Sequence, residues 1–157
     1  MRGARHMIIP AREFMPLVLA ALESNQRVRM TAMGSSMFPF IRGGDVVEIE
    51  PIRSPPVAGD VVLAQRALMP QGERYVVHRI VRIEGEMYFL RGDAQKNCEG
   101  PFTRRDILGR AVLVFQKGRV HRLDHGIWRR AGFAWNRCAP LNLWLFQLTR
   151  QFQRKRK

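Results

Sequence analysis

The sequence predicts a mainly β protein: a small, coiled antiparallel β-barrel with a short N-terminal helix and a C-terminal basic, amphipathic helical segment. Six or seven short runs rich in β-branched and aromatic residues are separated by polar turns, which is typical of antiparallel strands. Helical patterns occur only near the two ends. The chain of 157 residues is long enough to bury one substantial core. The predicted division is a helix with its tail in 1–26, the β domain in 27–123 and the helical segment in 124–157.

The first predicted element is a helix over residues 11–24. Its apolar residues recur at helical spacing and share one face: Phe14, Leu17, Val18, Ala21 and Leu22. The strands are predicted, in order, over residues 27–31, 46–50, 61–64, 75–83, 87–90, 107–115 and 120–123. Polar, irregular sequence predicts loops over 67–74 and 94–106.

Positive charge is concentrated toward the C-terminal end. The chain holds 27 Lys and Arg against 13 Asp and Glu, a net charge of +14. Residues 1–116 hold 16 against 12, a balance of +4, whereas residues 117–157 hold 11 against 1, a balance of +10. Aromatic and aliphatic residues accompany these cations, so residues 126–157 are predicted either to contact an anionic membrane surface or to pack on the β domain and end in a basic tail. Nucleic acid is a less favoured partner, because no recognition motif accompanies the charge.

Neither a membrane-spanning helix nor a metal site is predicted. No stretch reaches the roughly 18–20 apolar residues that span a bilayer, and a peripheral membrane-associated or cytoplasmic protein is expected. His121, His125 and Cys138 supply too few ligands for a metal, and a solvated basic face explains them better. The sequence predicts no cofactor.

A turn built from small residues presents a serine early in the β domain. The run is Gly34-Ser35-Ser36-Met37-Phe38-Pro39. A nucleophilic serine needs such a setting, because its hydroxyl must be held at a turn beside free backbone N–H groups. Most serine-rich turns are only structural, so the catalytic interpretation depends on a base elsewhere in the chain.

His78 is the best candidate for that base. A lysine base must be buried to lose its proton at neutral pH, and the single lysine of residues 1–116, Lys96, lies in a polar stretch. His6 is in the N-terminal tail, whereas His78 is in the middle of the longest predicted strand. Its unperturbed pKa of about 6.5 suits a general base. The structural alternative is a half-buried strand histidine without a chemical role.

A histidine base is normally oriented by a carboxylate at its second ring nitrogen. Asp93 follows the strand that is predicted to pair with the strand of His78, so a hairpin can return it to the ring. Glu99 is a second candidate. Asp45 and Asp60 each follow a glycine at the start of a strand and are predicted to form turns.

Five short motifs together resemble the conserved boxes of the type I signal peptidases. These enzymes belong, with the LexA-like self-cleaving repressors, to the S24/S26 group of serine peptidases. In chain order the motifs are Ser36-Met37-Phe38-Pro39, Gly44-Asp45-Val46-Val47, Gly59-Asp60-Val61-Val62, His78-Arg79-Ile80-Val81 and Phe89-Leu90-Arg91-Gly92-Asp93. The resemblance covers about residues 28–116. Most bacterial members have a lysine where this chain has His78, so the chain is similar to the branch that uses histidine.

The resemblance implies a fold and an activity. It implies the β catalytic core of this group and a serine endopeptidase that cleaves a leader or signal-type peptide, or a preprotein, through an acyl-enzyme. Ser36 would be the nucleophile, His78 the general base and Asp93 the acidic partner. Glu99 stands nearest in spacing to a second acid of the histidine branch. The oxyanion would be held by the Ser36 backbone N–H together with the Ser35 hydroxyl.

Two other functions stay open at this point. One is a non-catalytic membrane- or nucleic-acid-binding β domain that retains the serine motif as a turn. The other is a LexA-like self-cleaving regulator. A serine-reactive acylating probe distinguishes the first from an enzyme, because only an activated serine reacts with it.

Overall fold

The structure is a computed structural model that describes residues 11–66 and 75–137. Two helices, eight strands and one 3₁₀ turn are formed in these residues. In chain order they are α1 (Ala11–Glu23), β1 (Val28–Thr31), β2 (Val46–Glu50), β3 (Val61–Gln65), β4 (Tyr75–Glu84), β5 (Met87–Arg91), β6 (Glu99–Phe102), the 3₁₀ turn (Arg104–Asp106), β7 (Ile107–Gln116), β8 (Arg119–Arg122) and α2 (Gly126–Arg137). The predicted loop over 67–74 and the part of the C-terminal segment from 138 to 157 lie outside the described residues.

The mainly β prediction is confirmed, because the strands form one antiparallel sheet. The sheet order is β1-β2-β7-β3-β4-β5-β6, and β8 pairs with β7. Over the described ranges no strand pair joins β1 to β6, so the sheet is open and the predicted barrel is not closed there. Register shifts in the β2–β7, β3–β7, β4–β5 and β5–β6 pairs bend the sheet instead.

Strand β3 lies in the middle of the sheet and is buried on both faces. Val61 and Leu63 point into one apolar cluster, whereas Val62 and Ala64 point into the other. This is why the strand is continuously apolar instead of alternating. The first cluster is covered by α1, which buries Met15, Val18 and Leu22 at helical spacing.

Strand β6 is the element that the sequence prediction missed, since residues 94–106 were predicted to be irregular. It contains Gly100 and Pro101, which normally argue against a strand. Proline is tolerated here because β6 lies at the end of the sheet order and pairs with β5 alone among the described strands. The strand matters for the site because its first residue is Glu99.

Helix α2 packs on the sheet through its aromatic residues. Trp128 and Trp135 meet the ring of Phe40 edge to face, with centroid distances of 5.8 and 6.2 Å. The described part of the C-terminal segment therefore packs on the β domain. None of the helices described is long and apolar enough to cross a membrane.

Candidate active site

The serine turn is anchored to the core by the residue that follows Ser36. Met37 is buried in the first apolar cluster, and its carbonyl accepts hydrogen bonds from the N–H groups of Phe40 and Ile41. Gly34 has a φ of +76°, in the left-handed region that glycine adopts most easily. Ser36 itself is partly exposed. The turn thus holds the backbone firmly while leaving Ser36 partly exposed.

A second segment, residues 92–94 after β5, holds Ser36 from the other side. The Ala94 N–H donates to the Ser36 carbonyl over 2.8 Å. A Cβ at Gly92 would stand 2.6 Å from the same carbonyl oxygen, so a side chain at this position would force the backbone of Ser36 or of residues 92–94 to shift. This contact gives a physical reason for the glycine that precedes Asp93.

His78 lies directly beside the Ser36 hydroxyl. Its Nε2 is 3.2 Å from Ser36 Oγ, although the two residues are 42 positions apart. His78 is in the middle of β4, opposite Val62 of β3, and its side chain is only 3 % exposed. The predicted pairing of Ser36 with His78 is therefore present in the geometry, at a distance that allows a hydrogen bond.

Glu99 is the carboxylate that faces the second ring nitrogen. Glu99 Oε1 lies 3.5 Å from His78 Nδ1. Nδ1 is buried and has no hydrogen-bond partner among the described residues, so the contact at this distance is electrostatic. Catalytic hydrogen bonds are often long before substrate binds. A neutral ring that accepts from Ser36 at Nε2 carries its proton on Nδ1, where it points toward Glu99.

Arg66, just after β3, fixes Glu99 in place. Its guanidinium donates from Nε to Oε2 over 2.7 Å and from Nη2 to Oε1 over 2.6 Å. A bidentate pair of this kind sets both the position and the plane of the carboxylate. The sequence prediction did not include Arg66, because nothing local to residue 66 indicates a partner 33 positions away.

The carboxylate of Asp93, the acid predicted to orient His78, is engaged by Arg79. It accepts two hydrogen bonds from Arg79, over 2.9 and 2.8 Å, and both side chains are fully buried. Adjacent residues of a strand point to opposite faces, so Arg79 lies on the face of the sheet away from His78. Asp93 pairs with Arg79 on that face. Glu99, the first residue of β6, is the carboxylate that lies beside the imidazole.

Burial and charge set the protonation of the site. Burial lowers the pKa of His78 below 6.5; Glu99 opposes this effect, Arg66 adds to it, and Asp93 opposes it weakly. For Glu99, burial raises the pKa, but the hydrogen bonds from Arg66 and the charges of His78 and Arg66 outweigh burial and leave the pKa below 4.5. Near neutral pH the site therefore pairs a neutral imidazole with an ionised carboxylate, as a general base requires.

The lowered pKa of His78 also affects stability. Between this pKa and 6.5 the unfolded chain binds more protons at His78 than the folded protein does. The contribution of His78 to stability is therefore complete above pH 6.5 and is lost as the pH falls toward the folded-state pKa.

An oxyanion site is available at the turn. Within the described ranges the Ser36 N–H donates to no backbone carbonyl, which leaves it free for a developing oxyanion. Ser35 is exposed, and its carbonyl accepts from the Phe38 N–H over 3.2 Å. The predicted assistance from the Ser35 hydroxyl stays a prediction.

The other acidic and histidine residues that the sequence singled out lie in structural contacts. Asp45 accepts from the Arg42 N–H and Asp60 from the Val57 N–H, so both cap turns as predicted. His121 packs against the Trp128 ring with the two planes tilted by 40°, and His125 lies beside Asp124. In the part of the chain that the structure describes, no three His, Cys, Asp or Glu side chains are grouped as metal ligands.

The arrangement has the chemical groups that acyl transfer requires. It combines a partly exposed serine, an imidazole within hydrogen-bond reach of its hydroxyl, a carboxylate at the second ring nitrogen and a backbone N–H at the serine. Comparisons with known proteins add no family to this geometry. No protein-family model matches the chain, and neither does any curated protein or any solved structure.

Proposed function

We propose that the protein is a serine endopeptidase in which Ser36 is the nucleophile, His78 the general base and Glu99 the carboxylate that orients His78. The observation that carries this proposal is the 3.2 Å contact between Ser36 Oγ and His78 Nε2, with Glu99 at the opposite ring nitrogen. A histidine that only packs in a strand does not require a hydroxyl at one ring nitrogen. Nor does it require, at the other, a carboxylate that an arginine holds in place.

The reaction follows from these contacts. Ser36 Oγ attacks the carbonyl carbon of a peptide bond, and its proton passes to His78 Nε2. The Ser36 N–H donates to the oxyanion of the tetrahedral intermediate. His78 then gives the proton to the leaving nitrogen, the C–N bond breaks, and an ester with Ser36 remains. Water, deprotonated by His78, hydrolyses this ester and restores the hydroxyl. Glu99 stabilises the imidazolium that forms in each half of the cycle.

The substrate class comes from the sequence resemblance. The signal peptidase-like motifs favour a leader or signal-type peptide, or a preprotein, with small residues before the cleaved bond. A contact between residues 126–157 and an anionic membrane surface stays a prediction from charge. In the described part of that segment, Trp128 and Trp135 are already engaged with Phe40.

Labelling with a fluorophosphonate probe tests the proposal directly. We expect one covalent adduct on the wild-type protein, mapped to Ser36 by mass spectrometry, because only a serine with a base in reach reacts readily. Ser24 is exposed and follows α1, outside the candidate site, so Ser24→Ala is the matched control and keeps the label. An unlabelled wild-type protein would contradict the proposal and favour a non-catalytic binding domain.

The pH profile distinguishes the two candidate carboxylates. We expect Glu99→Gln to lower kcat/KM by about a hundredfold on the plateau, because the imidazolium loses its carboxylate partner. The same change removes a charge that raises the pKa of His78, so the acidic limb of the profile moves to lower pH. A profile unchanged in Glu99→Gln would exclude Glu99 as the orienting group.

A further inference from the structure

Helix α2 contacts the buried pair behind the serine turn. The Trp135 indole N–H donates to the backbone carbonyl of Asp93 over 3.0 Å. Gly132, one turn earlier, packs its backbone on the guanidinium of Arg79, and any side chain at this position would collide with that group. The guanidinium also lies over the ring of Phe40, at 5.3 Å from the centroid. Arg79 thus contacts both α2 and Phe40, the residue that follows the serine turn.

The segment that Trp135 contacts also holds the backbone of Ser36. Asp93 lies between the two residues that hold the Ser36 backbone: Ala94 donates its N–H to the Ser36 carbonyl, and Gly92 packs against the same oxygen. A shift of the Asp93 backbone therefore moves both Gly92 and Ala94. Misplacement of a reacting group by about 1 Å costs about a hundredfold in rate, so a small displacement here has a measurable effect.

We propose that α2 is a positioning element of the site, with Trp135 and Gly132 as the positioning residues that hold residues 92–94 against Ser36. This inference rests on the proposed function and extends it, because it gives α2 a role in positioning Ser36. In this proposal Trp135 and Gly132 act through Asp93 and Arg79.

The main test compares Trp135→Phe with Trp128→Phe in the full chain. Both variants keep an aromatic ring on α2, but only Trp135 donates to the 92–94 segment. We expect Trp135→Phe to slow fluorophosphonate acylation of Ser36 by about five- to tenfold, the effect of one lost hydrogen bond. In peptide cleavage kcat falls by the same factor, while KM changes by less than about twofold. Trp128→Phe is expected to acylate at nearly the wild-type rate, with a similar change in Tm.

Hydrogen exchange at the Ala94 amide gives a readout that does not need activity. Protection of this amide depends on its hydrogen bond to the Ser36 carbonyl. It is expected to fall in Trp135→Phe and to stay unchanged in Trp128→Phe. Gly132→Ala, which pushes a methyl group into Arg79, is expected to have at least the effect of Trp135→Phe. Ala131→Ser, at the exposed neighbouring residue, is its control.

The outcomes separate this inference from the proposed function. If wild-type Ser36 is not acylated at all, the proposed function is wrong, and unchanged protection of Ala94 in Trp135→Phe would refute the positioning role as well. If the wild-type protein is acylated and Trp135→Phe reacts at the same rate, only the positioning role is refuted. Equal losses of acylation rate in the two tryptophan variants, in proportion to the decrease in Tm of each, would also refute the positioning role. Packing alone would then explain the losses.

Discussion

We expect Ser36→Ala and His78→Ala each to lower kcat for peptide cleavage by about 10⁴- to 10⁶-fold, the effect of removing the nucleophile or base of a serine hydrolase. Ser36 Oγ and His78 Nε2 are 3.2 Å apart, close enough for direct transfer of the proton. Because the two groups act as one unit, the double variant is expected to lose no more activity than either single variant. The measurement is cleavage of a library of leader-type peptides, followed by mass spectrometry.

Two controls make this result specific. Ser24→Ala and His125→Ala replace exposed residues of the same types outside the site and are expected to keep wild-type kcat. Thermal unfolding of each variant shows whether a loss of activity reflects a loss of fold. Activity that survives in folded Ser36→Ala and His78→Ala would contradict the mechanism, and additive losses in the double variant would show that the two groups do not act together.

The fold was largely predictable because most strands carry a local signal. Runs of β-branched and aromatic residues between turns gave seven of the strands close to their observed bounds. The exception, β6, holds Gly100 and Pro101, and its extended backbone depends on pairing with β5, which is a tertiary contact. The barrel was predicted from six or seven short strands separated by polar turns, with little helix. Closure depends on register and bending, which short sequence patterns do not specify.

The site was predictable where chemistry restricts the choice of residue. One histidine in a strand and one turn with two serines, Ser35 and Ser36, left few combinations, and the structure brings Ser36 and His78 together. The carboxylate was harder to choose, because Asp93 and Glu99 are close to each other in the sequence. The face of the sheet on which each carboxylate lies determines which one is beside His78. The partners of Arg66 and Arg79 were not predictable, since the sequence alone does not reveal whether an arginine is buried or which acid it pairs with.

The second large effect concerns stability. We expect Asp93→Asn to lower the free energy of unfolding by about 3–5 kcal/mol, because it leaves the Arg79 guanidinium buried without a counter-charge. Both side chains are 0 % exposed, and Arg79 also donates to the Gly59 carbonyl over 2.8 Å. Arg79→Met is expected to cost a similar amount, since it leaves the Asp93 carboxylate unpaired. Urea denaturation of the full chain measures the change, with the free energy of unfolding in water and the m-value both fitted.

The exposed pair of Arg82 and Glu84 on the same strand provides the matched control. Their side chains are 55 % and 56 % exposed, so Glu84→Gln is expected to change stability by less than about 1 kcal/mol. The double variant Arg79→Met with Asp93→Asn removes both charges and is expected to recover part of the loss, because the main cost is an unpaired buried ion. A loss in Asp93→Asn no larger than that in Glu84→Gln would show that solvent reaches the Arg79 guanidinium. Arg79 would then not be the fixed support on which α2 and the serine turn both pack.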